Sequence, residues 1–251
     1  MVIFVGDEYI RNEEMEQISL TEKYISITGK GPKPSFGGSQ EWFSSTQWKN
    51  VRGQGCGLIA AVDCALYISG VNDLNIQEYD SFVEQFLSER KLARLFLHEI
   101  KIRKYDNLIL SLGILPIQIS KYLNKRIRIL GAKERFRWNG IHGHKNMYEK
   151  IKQMISKNIP VIWSLYSPAS KIRLYVSLDG GKTFTNKQVF TNSHYVMITG
   201  ILEDSNPESK HPRMLEISSW GQRFYIDYDE YLDYVGGSLL SKYCSNIMYL
   251  K

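Results

Sequence analysis

The hydrophobic pattern of the chain changes near its middle. Before this point, apolar residues recur every three or four positions, which is the spacing of a helix that packs one face against a core. The segment from Ile76 to Lys91 shows this spacing through Tyr79, Phe82, Val83, Phe86 and Leu87. A continuous apolar run after Cys56 predicts a buried helix, and Pro116 favours the first turn of a short helix that ends near Leu123. The first half is therefore predicted to be mostly helical.

Beyond Asn146 the pattern becomes that of a sheet. One helical stripe precedes a series of short β-branched and aromatic runs, which predict strands at 160–166, 172–178, 183–191, 194–201, 214–218, 224–226 and 243–250. The run Asp179–Lys182 contains two glycines and predicts a hairpin turn. An earlier strand is predicted at Ile127–Leu130 from its β-branched alternation. Helices first and a meandering sheet second predict an α+β fold.

Residues 1–38 differ from the rest of the chain. Short apolar runs such as Tyr24–Thr28 alternate there with charged segments, and Gly31–Gly38 is rich in glycine and proline. We interpret residues 1–38 as an N-terminal extension and linker, and residues 39–251 as one domain. With 251 residues, of which 43% are hydrophobic, the chain is long enough to bury a substantial core.

Charge and cysteine content narrow the class of protein. The 32 basic and 26 acidic residues give a net charge of +6 and are scattered along the chain. The basic run Lys121–Arg128 suits either a phosphate contact or a solvated helix end; the second is favoured, so no nucleic-acid partner is expected. Three cysteines do not form a disulfide framework, and reduced thiols suit a cytoplasmic protein, or one exported by a route not visible in this chain. No run approaches the roughly 20 apolar residues of a membrane span.

Cys56 is the candidate nucleophile. It stands between Gly55 and Gly57, where a glycine-rich loop meets the predicted buried helix. The first turn of a helix offers unpaired N–H groups and the positive end of the helix dipole, so we expect the thiol pKa to be lowered. The glycines let a substrate carbonyl approach the sulfur closely. The alternative is an inert buried cysteine, which is the commoner role of this residue.

A thiol nucleophile needs a base, and His194 is the best-placed histidine. It opens the apolar run Tyr195–Ile201, so a sheet would fix its ring at the mouth of a cleft. Gln47 lies upstream of Cys56 and is the candidate donor to an oxyanion. His142 and His144 lack a nearby carboxylate or cysteine, so no metal site is predicted there.

These residues resemble a known family. Gln47, Gly-Cys56-Gly, Ser-His194-Tyr-Val and Ser218-Ser-Trp-Gly221 follow the order found in papain-like cysteine peptidases. The sequence is most similar to the bacterial branch typified by peptidases that remove double-glycine leaders from bacteriocins. The resemblance implies an N-terminal helical lobe that carries the thiol and packs on a C-terminal antiparallel sheet lobe that carries the histidine. It also implies a peptide or peptide-like substrate, cleavage through an acyl-enzyme on Cys56, and no cofactor.

The chain departs from the family at Ser218. This serine stands where the family has an asparagine or aspartate that orients the imidazole before a Trp-Gly turn. The resemblance implies that the Ser218 hydroxyl accepts the ring N–H of His194, more weakly than a carboxylate would. A catalytically impaired domain that binds peptides or regulates a partner is therefore the alternative function. Amidase or acyl-transfer activity through the same thioester also stays open.

Overall fold

The computed structural model describes residues 9–10, 15–43, 49–89, 100–101, 109–110, 113–206 and 208–251. The α-helices in these ranges are α1 (Lys49–Gln54), α2 (Cys56–Ile68), α3 (Ile76–Glu89), α4 (Pro116–Ile129), α5 (Met147–Ser156), α6 (Tyr228–Gly236) and α7 (Leu239–Cys244). Short 3-10 helices cover Gln40–Trp42 and Ile141–Asn146. None of the helices in these ranges has the length and apolar character needed to cross a bilayer.

The strands follow the same chain order. They are β1 (Tyr9–Ile10), β2 (Met15–Ser19), β3 (Ser26–Thr28), β4 (Asp73–Asn75), β5 (Ile100–Lys101), β6 (Ile109–Leu110), β7 (Phe136–Trp138), β8 (Val161–Leu165), β9 (Ile172–Leu174), β10 (Thr183–Phe184), β11 (Val189–Thr191), β12 (His194–Asp204), β13 (Arg213–Ser219), β14 (Gln222–Asp227) and β15 (Asn246–Leu250). The fold mixes helices and sheet, so the α+β prediction is confirmed.

A seven-stranded antiparallel sheet organises the molecule around β12. Its strands run in the order β14-β13-β12-β8-β15-β7, and β2 also pairs with β12. One edge of β12 is shared, because β8 pairs with its first half and β2 with its second half. His194 is the first residue of β12 and lies opposite Leu165 of β8, which confirms that it opens a strand. The pairing with β8 therefore fixes the backbone of His194, and β13 joins the other edge of β12 from Met197 onward.

Helix α2 packs against this sheet, and its contacts include β12, α3 and α4. Its residues from Gly57 to Tyr67 are all buried, as expected for a helix that is apolar on every face. The predicted buried helix after Cys56 is confirmed. The packing of α2 on the sheet brings Cys56, at the start of the helix, near His194, at the start of β12.

Residues 15–38 of the N-terminal segment are part of the same core, so the interpretation of the segment as an extension and linker is wrong for these residues. Strand β2 pairs with β12 from Ser19↔Gly200 to Met15↔Asp204, and β3 pairs with β4. Ile25 and Ile27 are fully buried. The pairing partners lie far along the sequence, and local hydrophobic spacing carries no record of them.

Two local predictions have opposite outcomes. The predicted strand at Ile127–Leu130 is wrong, because α4 continues to Ile129 and buries Ile119, Tyr122, Leu123 and Ile127 at helical spacing. The chain turns at Asp179–Lys182 as predicted, with positive φ angles at Gly180 and Gly181, but the strands on either side are not paired with each other: β9 pairs with β11, and β10 pairs with β1. The Asp179 carboxylate accepts hydrogen bonds from the backbone and hydroxyl of Thr183, which close the turn.

Candidate active site

A tight junction between α1 and α2 places Cys56. Gly55 separates the two helices, and its N–H donates to the carbonyl of Val51 at 2.7 Å. A Cβ on Gly55 would stand 2.4 Å from that same carbonyl oxygen, so the junction closes only around a glycine. Cys56 is consequently the first residue of α2, with the unpaired N–H groups of a helix start around it.

The thiol of Cys56 is held in its protonated form at rest. Burial raises its pKa, although backbone N–H groups of Tyr195, Gly57 and Cys56 itself point at the sulfur and act in the opposite direction. The expectation of a lowered pKa is therefore wrong for the free protein. The helix start is present, but desolvation of a thiolate in this partly enclosed place outweighs it.

The imidazole of His194 is fixed by two contacts. Its Nε2 lies 2.8 Å from the hydroxyl oxygen of Ser219, and its ring stacks on Trp220 at 4.6 Å between centroids and 20° between planes. The side chain is buried, and this burial lowers the imidazole pKa to about 4. His194 is thus neutral at ordinary pH and available as a proton acceptor.

The turn between β13 and β14 supplies both contacts. Ser219 pairs with Gln222, and the two residues between them, Trp220 and Gly221, have φ angles of 51° and 73°. This is the geometry of a type I′ hairpin turn, in which a bulky residue at positive φ is uncommon. The cost of holding tryptophan there, roughly 1–3 kcal/mol, is offset by the surrounding structure. The strained position sits directly over His194.

Ser218 does not contact the imidazole. Its hydroxyl donates instead to the carbonyl of Phe36 at 2.7 Å, on the other face of the strand. Successive strand residues point to opposite faces, so a one-residue difference decides which serine meets the histidine. The contact with the His194 ring that the resemblance implies for Ser218 is made by Ser219 in this structure.

Gln47 lies outside the described residues. Two other glutamines, Gln40 and Gln54, line the cleft that contains Cys56 and His194. The side-chain oxygens of both are buried and have no hydrogen-bond partner among the described residues. Gln54 precedes the cysteine by two positions, and Gln40 follows the tight Gly37-Gly38 pair; the sequence analysis singled out neither.

The cleft itself is large and carries no charge in its described lining. Its volume is about 790 Å³, and both Cys56 and His194 line it. Aromatic and apolar side chains line much of it, including Ile117, Trp138, Tyr166, Tyr195, Trp220 and Tyr243. No aspartate, glutamate, lysine or arginine is among the described residues that line it. Beneath it, a recess of about 20 Å³ is shared by Gln40, Cys56, Asp63 and His194.

The histidines at 142 and 144 do not join this site. The Nε2 of His144 lies 2.7 Å from the carbonyl oxygen of Lys242, and its ring stacks on Tyr231. A separate group, formed by His211, Asp227 and Glu230, brings ligand atoms within 4.8 Å of one another in the described part of the chain. Asp227 already accepts from His211 and from the first N–H groups of α6, so this group reads as a buried helix cap.

Comparisons with known proteins identify no relative of this chain. No family model, no curated protein and no solved structure gives a significant match. The site therefore has to be interpreted from its own geometry.

Proposed function

We propose that this chain is a thiol-dependent hydrolase of papain-like fold that cleaves a peptide or amide bond through an acyl-enzyme on Cys56. The observation that carries the proposal is the position and fixed orientation of the His194 ring. It shares a cleft with a cysteine at a helix start, and a serine hydroxyl and a tryptophan ring fix its orientation. This combination of nucleophile, base and orienting group is what thiol acyl transfer requires.

The resting site is a neutral pair. Cys56 is a thiol and His194 an uncharged imidazole, because burial raises the pKa of the first and lowers that of the second. Because Ser219 occupies Nε2 of His194, Nδ1 is the atom that receives the thiol proton. We infer that proton transfer accompanies attack on the substrate, so that His194 acts as a general base.

The reaction then follows in two halves. The Cys56 sulfur bonds to the acyl carbon as its proton passes to Nδ1 of His194, and the carbonyl becomes an oxyanion. The N–H of Cys56 and a glutamine amide stabilise that oxyanion, with Gln40 the described glutamine that lines both the cleft and the recess. His194 returns the proton to the leaving amine. Water, deprotonated by the same imidazole, opens the thioester and restores the thiol.

The alternative is a domain of this kind that binds peptides without cleaving them. A specific observation favours it: the orienting group is a serine hydroxyl, and the thiol is protonated at rest. Such a domain binds an extended peptide in the cleft and does not cleave it.

Alkylation of Cys56 separates the two functions. We expect iodoacetamide to label Cys56 at neutral pH at least about tenfold faster in the native protein than in His194→Ala, because general-base catalysis contributes about 10²–10⁴-fold. Cys244→Ser serves as a matched control, since Cys244 is the other thiol that lines the cleft. An unchanged labelling rate in His194→Ala would favour the binding domain. Faster labelling in the native protein would be followed by assays with peptide and amide substrates.

A further inference from the structure

We propose that Asp63 is a positioning residue that ties the turn orienting His194 to the helix carrying Cys56. This inference rests on the proposed function, because the turn matters to chemistry only if Cys56 and His194 react together. Asp63 lies on α2, seven residues after Cys56, so two helical turns place both side chains on one face. The recess beneath the cleft is lined by both residues and by His194.

Asp63 is a buried carboxylate with three hydrogen-bond donors. Only 1% of its surface is exposed. Its Oδ2 accepts from the N–H of Gly38 at 2.9 Å and from the hydroxyl of Tyr24 at 3.4 Å, and its Oδ1 accepts from the hydroxyl of Tyr79 at 2.7 Å. A carboxylate is rarely buried so fully without a specific reason. Here the bonds fix the segment around Gly38.

That segment is hydrogen-bonded directly to the turn. The carbonyl of Gly38 accepts from the N–H of Gly221 at 3.0 Å, and the carbonyl of Gly221 accepts from the N–H of Phe36 at 2.9 Å. The Ser218 hydroxyl adds a third bond, to the carbonyl of Phe36. Asp63 is thus two hydrogen bonds from Gly221, which follows Trp220 in the turn.

The glycines make this close approach possible. Gly37 has a φ of 79°, and a Cβ there would lie 2.7 Å from Asp63 Oδ2 and 2.3 Å from Ser218 Oγ. A Cβ on Gly38 would lie 1.9 Å from the hydroxyl oxygen of Tyr79. Side chains at either position would separate the carboxylate from the backbone it binds.

The β13–β14 turn orients the His194 imidazole through the Ser219 hydroxyl and the Trp220 ring. Ser219 offers no charge to hold His194, so the accuracy of its position decides how well the ring is oriented. Helix α2 supplies both the nucleophile and the carboxylate that sets this position. One element therefore controls the relative placement of thiol and imidazole.

Titration of His194 by NMR in Asp63→Asn tests the proposal. We expect the His194 pKa to rise from about 4 by more than about one unit towards the value of 6.5 of a free histidine, because a displaced turn lets water reach the ring. Because burial raises the Asp63 pKa to about 6, this side chain is uncharged near pH 4, where His194 titrates. Asp63→Asn therefore removes no charge in that range, and a raised His194 pKa reports a displaced turn. The His194 signal is assigned by its absence in His194→Ala.

Asp227→Asn is the matched control. Asp227 is buried to the same degree and also accepts from three donors, but these lie at the start of α6 and on His211. We expect this variant to leave the His194 pKa unchanged. A folded Asp63→Asn with an unchanged His194 pKa, or an equal shift in both variants, would overturn the proposal.

If Asp63→Asn does not fold, amide hydrogen exchange of the native protein tests whether Asp63 is linked to the turn. The proposal expects the amides of Gly38 and Gly221 to exchange at rates within about tenfold of each other, because one opening breaks both bonds. Exchange of Gly221 more than about a hundredfold faster than Gly38 would refute the link. Alkylation of Cys56 that does not depend on His194 would instead refute the proposed function and leave the His194 titration result standing.

Discussion

Two neighbouring serines on β13 make different contacts, and the difference lies at the residue scale. Ser219 meets the imidazole of His194, whereas Ser218 bonds to the backbone of Phe36. The family resemblance points to Ser218, although both serines stand directly before the Trp-Gly pair. The pleat of the strand points their side chains to opposite faces of the sheet, and only Ser219 lies on the face that carries the His194 ring.

Alanine substitutions at these serines are expected to differ. Ser219→Ala removes the hydrogen bond to His194, worth about 0.5–1.5 kcal/mol, and is expected to slow His194-dependent alkylation of Cys56 about 2- to 10-fold. Ser218→Ala keeps that bond and the Gly38–Gly221 bond, so we expect less than about a twofold effect on the rate. Rates of iodoacetamide labelling at pH 7, with the unfolding free energy of each variant, check this. A larger loss in Ser218→Ala would contradict the assignment.

The buried carboxylate of Asp63 is expected to make stability depend on pH. Burial raises its pKa to about 6, with Tyr24, Tyr79 and Cys64 as the titratable groups around it. The folded state holds this proton more tightly than the unfolded state, where the pKa is about 3.9. The contribution of Asp63 is therefore fully present below about pH 4 and is lost as the pH rises through about 6.

Denaturant unfolding at several pH values measures this effect. The native protein is expected to lose about 2–3 kcal/mol of unfolding free energy more than Asp63→Asn between pH 4 and pH 7, since each pKa unit corresponds to about 1.4 kcal/mol. Asp227→Asn provides the comparison for a buried carboxylate elsewhere. Parallel pH profiles of the native protein and Asp63→Asn would show that Asp63 titrates normally.

At the scale of elements, the junction of α1 and α2 sets the place of the thiol. Gly55 has no positive φ, and its importance lies in contact: it packs against the backbone of Val51. Gly53, by contrast, has open space where a Cβ would stand. The two glycines look alike in the sequence, and they differ because the turn at the end of α1 brings Gly55 onto Val51, whereas Gly53 faces open space.

Alanine at these two positions gives a second matched pair. Gly55→Ala is expected to lower the unfolding free energy by about 1–3 kcal/mol, because the new methyl overlaps the carbonyl and side chain of Val51. Gly53→Ala is expected to be neutral or to stabilise by up to about 1 kcal/mol, since alanine restricts the unfolded chain more than glycine does. Thermal and denaturant unfolding measure both. A similar loss at both positions would show that the clash with Val51 is not what makes Gly55 necessary.

Local pattern predicts elements in this chain better than it predicts their partners. The helix after Cys56, the strand that opens at His194 and the turn at Asp179–Lys182 follow from spacing and turn residues, which are local properties. The pairing of β2 with β12 depends on residues about 180 positions apart, and no local signal encodes it. For the same reason the sequence did not reveal Asp63, whose partner Gly38 becomes a neighbour only in the folded chain.

The pKa of Cys56 illustrates the same limit for chemistry. A helix start lowers a thiol pKa, and the sequence correctly places the helix start. How deeply the thiol is buried depends on the sheet, on Tyr195 and on the cleft walls, and burial has the larger effect. The direction of the shift therefore follows from the assembled fold.

For the whole molecule, the cleft between helices and sheet defines what can bind. Its described walls combine residues from the start of α4, the end of β7, the start of β12 and the end of α7. Ile117, at the start of α4, is 57% exposed and lines its edge. With no charged side chain in the described lining, a charged group that enters loses hydration without gaining a partner.

For the proposed hydrolase, the charge of the substrate is therefore expected to decide the rate of turnover. Among peptide amides that share one leaving group, those with leucine or phenylalanine on the acyl side should exceed their glutamate and lysine counterparts in kcat/KM by at least about tenfold, or 1.4 kcal/mol. Ile117→Lys should narrow the gap for the glutamate substrate, because it places a cation at the cleft edge. Leu178→Lys is the control, since Leu178 is 90% exposed and does not line the cleft. Equal kcat/KM values for neutral and charged substrates would show that these walls do not contact the acyl side, and an equal effect of both lysines would assign the change to net charge alone.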